Sequence, residues 1–428
     1  MENFPESEID IKTLPLIIET NFPGRWRETE ACLATVATLF IEDVTNPMAL
    51  NLVGSPSSTK TTILGFFKNT KELVYFTDKF TPKSFVSCFA NAKAERLAKI
   101  DLLPLIKDKV LIVPELAPLF RARADDLTEN FSILTRVFDG EGLWVNSGTT
   151  GGRGYQGDYM FCWLGGTTPI DHTAWKTMAT LGSRMFFLAM NEEKRTPQDL
   201  VNNNNGSVKF KDKVKECRLS VDIFLKKLLA QGAIRSINWD SKSDDPKAVE
   251  HIAKLAILLS YLRGTLQIWT EGQGETENYV HRTPIIELPD RANSILYNFA
   301  RGRALLYGRN YIIIDDIKMV KDIAFCSMPN DRRQLFQTLI DNIGIVGTST
   351  IVDALRCSPK VAKGLMETFV VLGIAEDATL DWNMSTPGAG SDEKAIRLKE
   401  ETASWLFSDD FAAILSNDKP PQNDDVIC

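Results

Sequence analysis

The chain is 428 residues long, 44% hydrophobic and 25% charged, with a formal net charge of −7, the balance of a soluble globular protein large enough for two or three domains. Its longest apolar runs, such as Val110–Val113 and Phe369–Leu372, are too short to span a bilayer, and its overall acidity excludes a surface-wide footprint for nucleic acid. Three histidines and seven scattered cysteines, with no C-x-x-C spacing, argue against zinc or triad hydrolysis and for a reduced, cytoplasmic protein; the acidic N-terminus carries no export signal.

Residues 1–45 read as a helical lead-in, with Trp26, Cys32, Leu33, Val36, Leu39 and Phe40 near helical spacing. The apolar run Ala49 to Val53 then predicts a buried strand that breaks at Gly54 into Ser55-Pro-Ser-Ser58-Thr59-Lys60-Thr61-Thr62 ahead of a second apolar stretch, Ile63 to Phe67. A strand, a small-residue loop and a helix in that order turn backbone N–H groups toward an anion, while a lysine supplies charge and a hydroxyl reaches Mg²⁺. Thr59 stands where a phosphate loop has its second glycine, and its Cβ opposes the backbone freedom glycine would give. By itself the segment fits either a triphosphate cradle or an ordinary Gly-Ser-Pro turn.

Leu73–Phe76 predicts a short strand, and residues 85–106 a helix. Lys109-Val-Leu-Ile-Val-Pro114-Glu115 has the pattern of a central parallel strand with a carboxylate at its C-terminal edge, where open α/β sheets gather ligands. Glu115 at that edge either orients an attacking water and a metal ion or caps the next helix. Tyr159 to Leu164 is a further strand ending in Gly-Gly-Thr167-Thr168, a γ-phosphate contact or a turn, and Arg184 precedes the apolar run from Met185. Between the Lys109–Glu115 and Tyr159–Leu164 stretches, glycines at 148, 151, 152 and 154 mark a hairpin. Arg153 and Tyr155 near its tip are placed to grip nucleic acid unless the segment is an open loop.

Residues 192–209, with Asn202–Asn205, read as an exposed loop; helices are expected over 212–232, 247–269 and 288–307, with a loop from Thr270 to Asn278. Residues 334–382 read as a helix-turn-helix unit, in which Lys360 and Lys363 open the third helix and face a nucleic-acid phosphate or a protein partner. Ser385 to Asp392 is a linker, 394–415 a helix, and Asp418 to Cys428 an acidic tail.

Together these segments resemble an AAA+ ATPase of the branch that holds the minichromosome maintenance (MCM) helicases and the MoxR-type ATPases, over roughly residues 45–335. Gly54–Thr61 is similar to Walker A, Val110–Glu115 to Walker B, Gly166-Thr-Thr168-Pro169 to sensor 1, and Gly182-Ser-Arg184-Met-Phe to the element bearing the MCM arginine finger. Leu288-Pro-Asp-Arg291, with Ala300-Arg-Gly-Arg-Ala-Leu and the Asp315-Asp316 pair, resembles the MoxR lid, whose first arginine is sensor 2. Thr59 for glycine and Pro114 for the Walker B aspartate depart from the pattern and bear on hydrolysis.

The resemblance implies an α/β fold: an AAA+ P-loop core with a parallel sheet flanked by helices at 46–191, a helical lid with an insertion at 192–333, a C-terminal winged helix at 334–382, and a linker, helix and tail at 383–428. It implies ATP and Mg²⁺ as cofactors, with Gly54, Ser55, Ser58, Thr59, Lys60, Thr61 and Thr62 cradling phosphate and Thr61 and Glu115 on the metal. Glu115, Thr168, Arg184 and Arg291 are the implied catalytic group. Arg184 would act on a neighbouring copy, so the implied assembly is a ring, a hexamer, working on DNA as a helicase-like or translocase module of a replication or mobile-element system. The alternative is a MoxR-like factor that remodels or assembles protein clients, with hydrolysis weakened.

Overall fold

In the computed structural model the described residues are 9–87, 94–147, 151–182, 184–191, 196–198, 201, 208–271, 278–380 and 393–416. The expected loop at Asn202–Asn205, the linker at 385–392 and the tail from Asp418 lie outside them. The chain divides into two compact units, Met1–Val249 with Arg291–Ser327, and Glu250–Asp290 with Met328–Cys428.

The first unit is built on five parallel strands: β1 (Met48–Val53), β2 (Val74–Phe76), β3 (Val110–Val113), β6 (Cys162–Thr167) and β7 (Met185–Ala189), in the order β2-β3-β6-β1-β7. Parallel strands covered on both faces need unbroken apolar sequence rather than alternation, and β3 and β6 are buried at every residue. In-register pairing sets Val53 beside Thr167 and Val113 beside Gly165, so three neighbouring strands end together. Gly166 permits this closeness, since a Cβ there would come within 2.5 Å of the Pro114 carbonyl oxygen. A polar side chain sits inside the sheet at β1: buried Asn51 accepts from Trp163 Nε1 at 3.0 Å.

Helices cover the sheet. Along Ala124–Val137 the buried residues Leu127, Phe131, Leu134 and Val137 share one face at the i, i+4, i+7 spacing of an amphipathic helix, and they join Phe85, Leu111, Phe161 and Trp163 in the core. The lead-in forms the helices Leu14–Asn21 and Trp26–Ala37. Against the latter lies the helix Asp290–Leu306, where a Cβ at Gly302 would stand 2.2 Å from the Ala34 carbonyl oxygen. Arg303 ties the two helices through Glu30 at 2.8 Å and reaches buried Asp316 at 2.8 Å; those carboxylates hold its pKa above the ordinary arginine value, against the cost of burial.

Two segments depart from expectation within this unit. Residues 85–106 do not make one helix: the helix Leu102–Ile106 starts after Asp101, which is extended at φ −71° and ψ 136° and fully buried. The hairpin strands are β4 (Gly142–Ser147) and β5 (Gly151–Gln156), and the tip between them, 148–150, lies outside the described residues.

In the second unit the helices Asn330–Asp341, Thr348–Leu355 and Pro359–Val371 accompany an antiparallel sheet of β10 (Ile345–Gly347), β11 (Ala375–Leu380) and β12 (Glu393–Leu398), in the order β10-β12-β11. Ser358 caps the third helix, its hydroxyl accepting from the Val361 N–H at 3.3 Å. The helix expected over 394–415 is corrected: residues 393–398 are β12, and helices follow at Glu400–Leu406 and Asp409–Ser416. Six residues with apolar Ala395, Ile396 and Leu398 suit either period, and pairing with both neighbours decides for the strand. A second correction is the hairpin of β8 (Ile268–Glu271) and β9 (Asn278–His281), where a helix end and a loop were expected. Among the described residues no helix is long and apolar enough to cross a membrane.

Candidate nucleotide-binding site

The loop after β1 leaves the sheet at Gly54, whose N–H donates to the Thr167 carbonyl of β6 at 3.2 Å, and returns as the helix Lys60–Gly65. Thr59 occupies the left-handed region at φ 70° and ψ 6°, and Ser57 also has a positive φ of 68°. The threonine thus takes up the backbone shape that the missing glycine would supply, in a conformation that β-branched residues rarely adopt. Replacing Thr59 by glycine should remove that strain and raise the unfolding free energy by about 1 kcal/mol, after allowance for the freer unfolded chain. Chemical denaturation checks it, and a destabilised Thr59→Gly protein would contradict the strained loop.

Lys60 is 7% exposed, and its ammonium is held inside the loop. It donates to the carbonyls of Gly54 at 2.7 Å and Ser55 at 2.9 Å and to the Ser58 hydroxyl at 2.9 Å. A cavity of about 720 Å³ opens beside it, lined by residues 56–62, Glu115, Ala117, Pro118, Arg121, Thr168 and Phe210, within the size range of ligand sites. Glu115 and Thr168 reach it from the segments that follow β3 and β6, so the carboxyl ends of β3, β6 and β1 bring three distant segments to one place.

Glu115 is exposed, and its Oε1 accepts from the Ala117 N–H at 2.9 Å; the capping role is therefore present at the cavity wall. Thr168 Oγ1 accepts from Arg121 Nη2 at 3.2 Å. Arg121 was missed from sequence. It follows the single turn Ala117–Phe120, and that turn carries it back to the strand ends; a basic residue six positions past Glu115 was the available signal.

For a magnesium ion the cavity offers the Thr61 hydroxyl and the Glu115 carboxylate, with Pro114 adding no donor. Among the described residues no cluster of three His, Cys, Asp or Glu forms a metal cage. This set fits Mg²⁺, which keeps several waters and is bound largely through phosphate oxygens with one or two protein ligands.

Arg184 and Arg291 do not line the cavity. They meet at Asp139: Arg184 Nε lies 3.1 Å and Arg291 Nη1 2.8 Å from its Oδ1, and Arg136 Nη1 lies 3.7 Å from Oδ2. Arg184 also donates to the Leu181 and Gly182 carbonyls.

The hairpin places its two expected contact residues inward. Arg153 Nη2 lies 2.5 Å and the Tyr155 hydroxyl 2.8 Å from Oδ2 of buried Asp101, whose Oδ1 accepts from the Ser87 N–H at 2.9 Å. The aromatic that faces outward is Trp144 on β4, 49% exposed and opposite Gly154. In the second unit Lys360 and Lys363 are exposed on the first turns of the helix Pro359–Val371, and the Lys360 carbonyl accepts from the Tyr279 hydroxyl at 2.9 Å.

No family model matches the sequence, and no curated protein matches it. Among solved structures, a full-length MCM homologue from Methanopyrus kandleri aligns at 10% identity and a TM-score of 0.43, over 76% of this chain and 60% of that one. The apo C-terminal region of NrS-1, residues 305–718, aligns at 10% identity and a TM-score of 0.26, over 93% of this chain and 79% of that one. The chain thus spans less than two thirds of the MCM homologue. Likenesses of this order assign no family.

Proposed function

We propose that the chain is an AAA+ type ATPase that binds ATP with Mg²⁺ at Gly54–Thr62 and couples its turnover to work on DNA, as a helicase or translocase module. The observation that carries this reading is the convergence on one cavity of the Lys60 loop, Glu115 and Thr168, from three adjacent parallel strand ends. In this reading Gly54, Ser55, Ser58, Thr59 and Thr62 surround the phosphates and Lys60 swings from the loop carbonyls onto them. Thr61 and Glu115 hold the ion, which when bound neutralises phosphate charge. Glu115 also orients the attacking water, and Thr168 with Arg121 faces the γ-phosphate.

Arg184 and Arg291, gathered on Asp139 outside the cavity, would serve a neighbouring copy in a ring, a hexamer by the resemblance. On the DNA side, Trp144 replaces Arg153 and Tyr155 as the hairpin contact, and Lys360 and Lys363 supply phosphate contacts from a winged helix. Steady-state ATPase assays with and without single-stranded DNA test the whole. Wild type should be stimulated by DNA and Trp144→Ala should not. Glu115→Gln should lower kcat by about 10² to 10³ with ATP affinity retained; an unchanged kcat would remove Glu115 from the reaction.

A second reading, nucleotide-gated remodelling of a protein client in the MoxR manner, is favoured by the engagement of Glu115 with the Ala117 N–H and by the engagement of Arg153 and Tyr155 with Asp101. An ATPase rate indifferent to DNA would select it.

A further inference from the structure

A second cavity, of about 430 Å³, lies beside the phosphate cavity and is lined by Asn69, Phe210, Lys211, Val214, Lys215 and Arg218. Phe210 is common to the walls of both. Its side chain is among the large apolar groups left in the open, 60% exposed, yet the ring is braced. One edge meets Phe22 at 5.8 Å and 89°, and Phe22 in turn packs on Phe66 at 5.5 Å, in the turn Phe66–Asn69 that continues the Lys60 helix. Arg218 fastens the same helix, its Nε donating to the Gly65 carbonyl at 2.9 Å. A rigid aromatic face held open to water between a phosphate cradle and a groove of basic and amide side chains is suited to a flat heterocycle whose edge accepts hydrogen bonds.

We propose that Phe210 is the base platform of the nucleotide site: the nucleobase of a nucleoside triphosphate stacks on its exposed ring, with its edge toward Asn69, Lys211 and Lys215, while the triphosphate lies on the Lys60 loop. This rests on the phosphate reading above. Purines gain more than pyrimidines, because stacking grows with the ring area covered. In this arrangement the ring receives the base and the Lys60 loop receives the polyphosphate, so the two halves of the ligand separate experimentally.

The test is calorimetric titration of the full-length protein with ATP and, separately, with inorganic tripolyphosphate, for wild type, Phe210→Ala and Phe210→Trp. Base–aromatic stacking loses about ten-fold or more in affinity on truncation to alanine. Phe210→Ala should therefore weaken ATP by about that factor and leave tripolyphosphate unchanged, and Phe210→Trp should keep the ATP affinity. If Phe210→Ala binds ATP as wild type does, or loses both ligands equally, the platform is overturned while the phosphate cradle stands. If wild type takes up neither ligand, the cradle itself is wrong and the platform falls with it.

Discussion

Replacement of Lys60 by alanine should abolish measurable ATP binding, a loss of at least about 100-fold. Lys60 is 7% exposed and its ammonium is directed into the loop, where it holds the Gly54 and Ser55 carbonyls and the Ser58 hydroxyl. A phosphate in that cradle would exchange those neutral acceptors for charged ones, and hydrogen bonds to charged groups are worth about 1.5–3 kcal/mol each. Two such contacts correspond to two or more orders of magnitude in affinity. The same change removes the pins that draw the loop together, so the loss includes preorganisation as well as charge. Equilibrium binding of ATP in the presence of magnesium reads the effect. A loss of less than about ten-fold would mean that the triphosphate is held elsewhere or not at all.

Removal of the Asp101 carboxylate should cause the largest loss of stability, about 3–5 kcal/mol for Asp101→Ala. The side chain is fully buried, and it receives Arg153, Tyr155 and the Ser87 N–H together. Deleting one partner of such a pair strands the other charge, which costs far more than the pair contributes in net terms. Asp101→Asn, which keeps an acceptor and loses the charge, should lie between the two; denaturant titration measures all three, and a loss under about 1 kcal/mol for alanine would contradict the anchor.

The same site makes stability depend on alkaline pH. Burial first, then the hydrogen bond to Asp101 and its charge, push the Tyr155 phenol up to about 12 from an ordinary 10. Between those values the folded phenol keeps a proton that the unfolded one has released, so this contribution is complete below pH 10 and is lost as pH rises toward 12. Tyr155→Phe should flatten that part of the profile.

Several features of the architecture were legible because they depend on local pattern. Unbroken apolar runs such as Val110–Val113 announce buried parallel strands, and the hydroxyl-rich loop after Gly54 announces the helix that begins at Lys60. What stayed hidden depends on partners far away in sequence. Nothing in the hairpin signals that Arg153 turns toward a carboxylate 52 residues earlier, or that Trp144 is left outside. The segment 393–398 fits a helix as well as a strand until β10 and β11 flank it. Arg121 escapes notice because only the turn Ala117–Phe120 aims it back at Thr168. Thr59 reads as a defect in the loop, yet the chain adopts the left-handed geometry there regardless, since neighbouring contacts outweigh the steric penalty of one residue.

Asp139 gives two arginines a common counter-ion, and this makes them mechanically dependent. Arg184 leads into β7, and Arg291 opens a helix locked to Trp26–Ala37 through Gly302 and Arg303. Drawing either guanidinium away toward another anion would leave the carboxylate to the remaining one and to Arg136, strengthening their hold. The edge strand β7 and the helix Asp290–Leu306 therefore answer to one carboxylate, so that loss of Asp139 would take that shared partner from both at once.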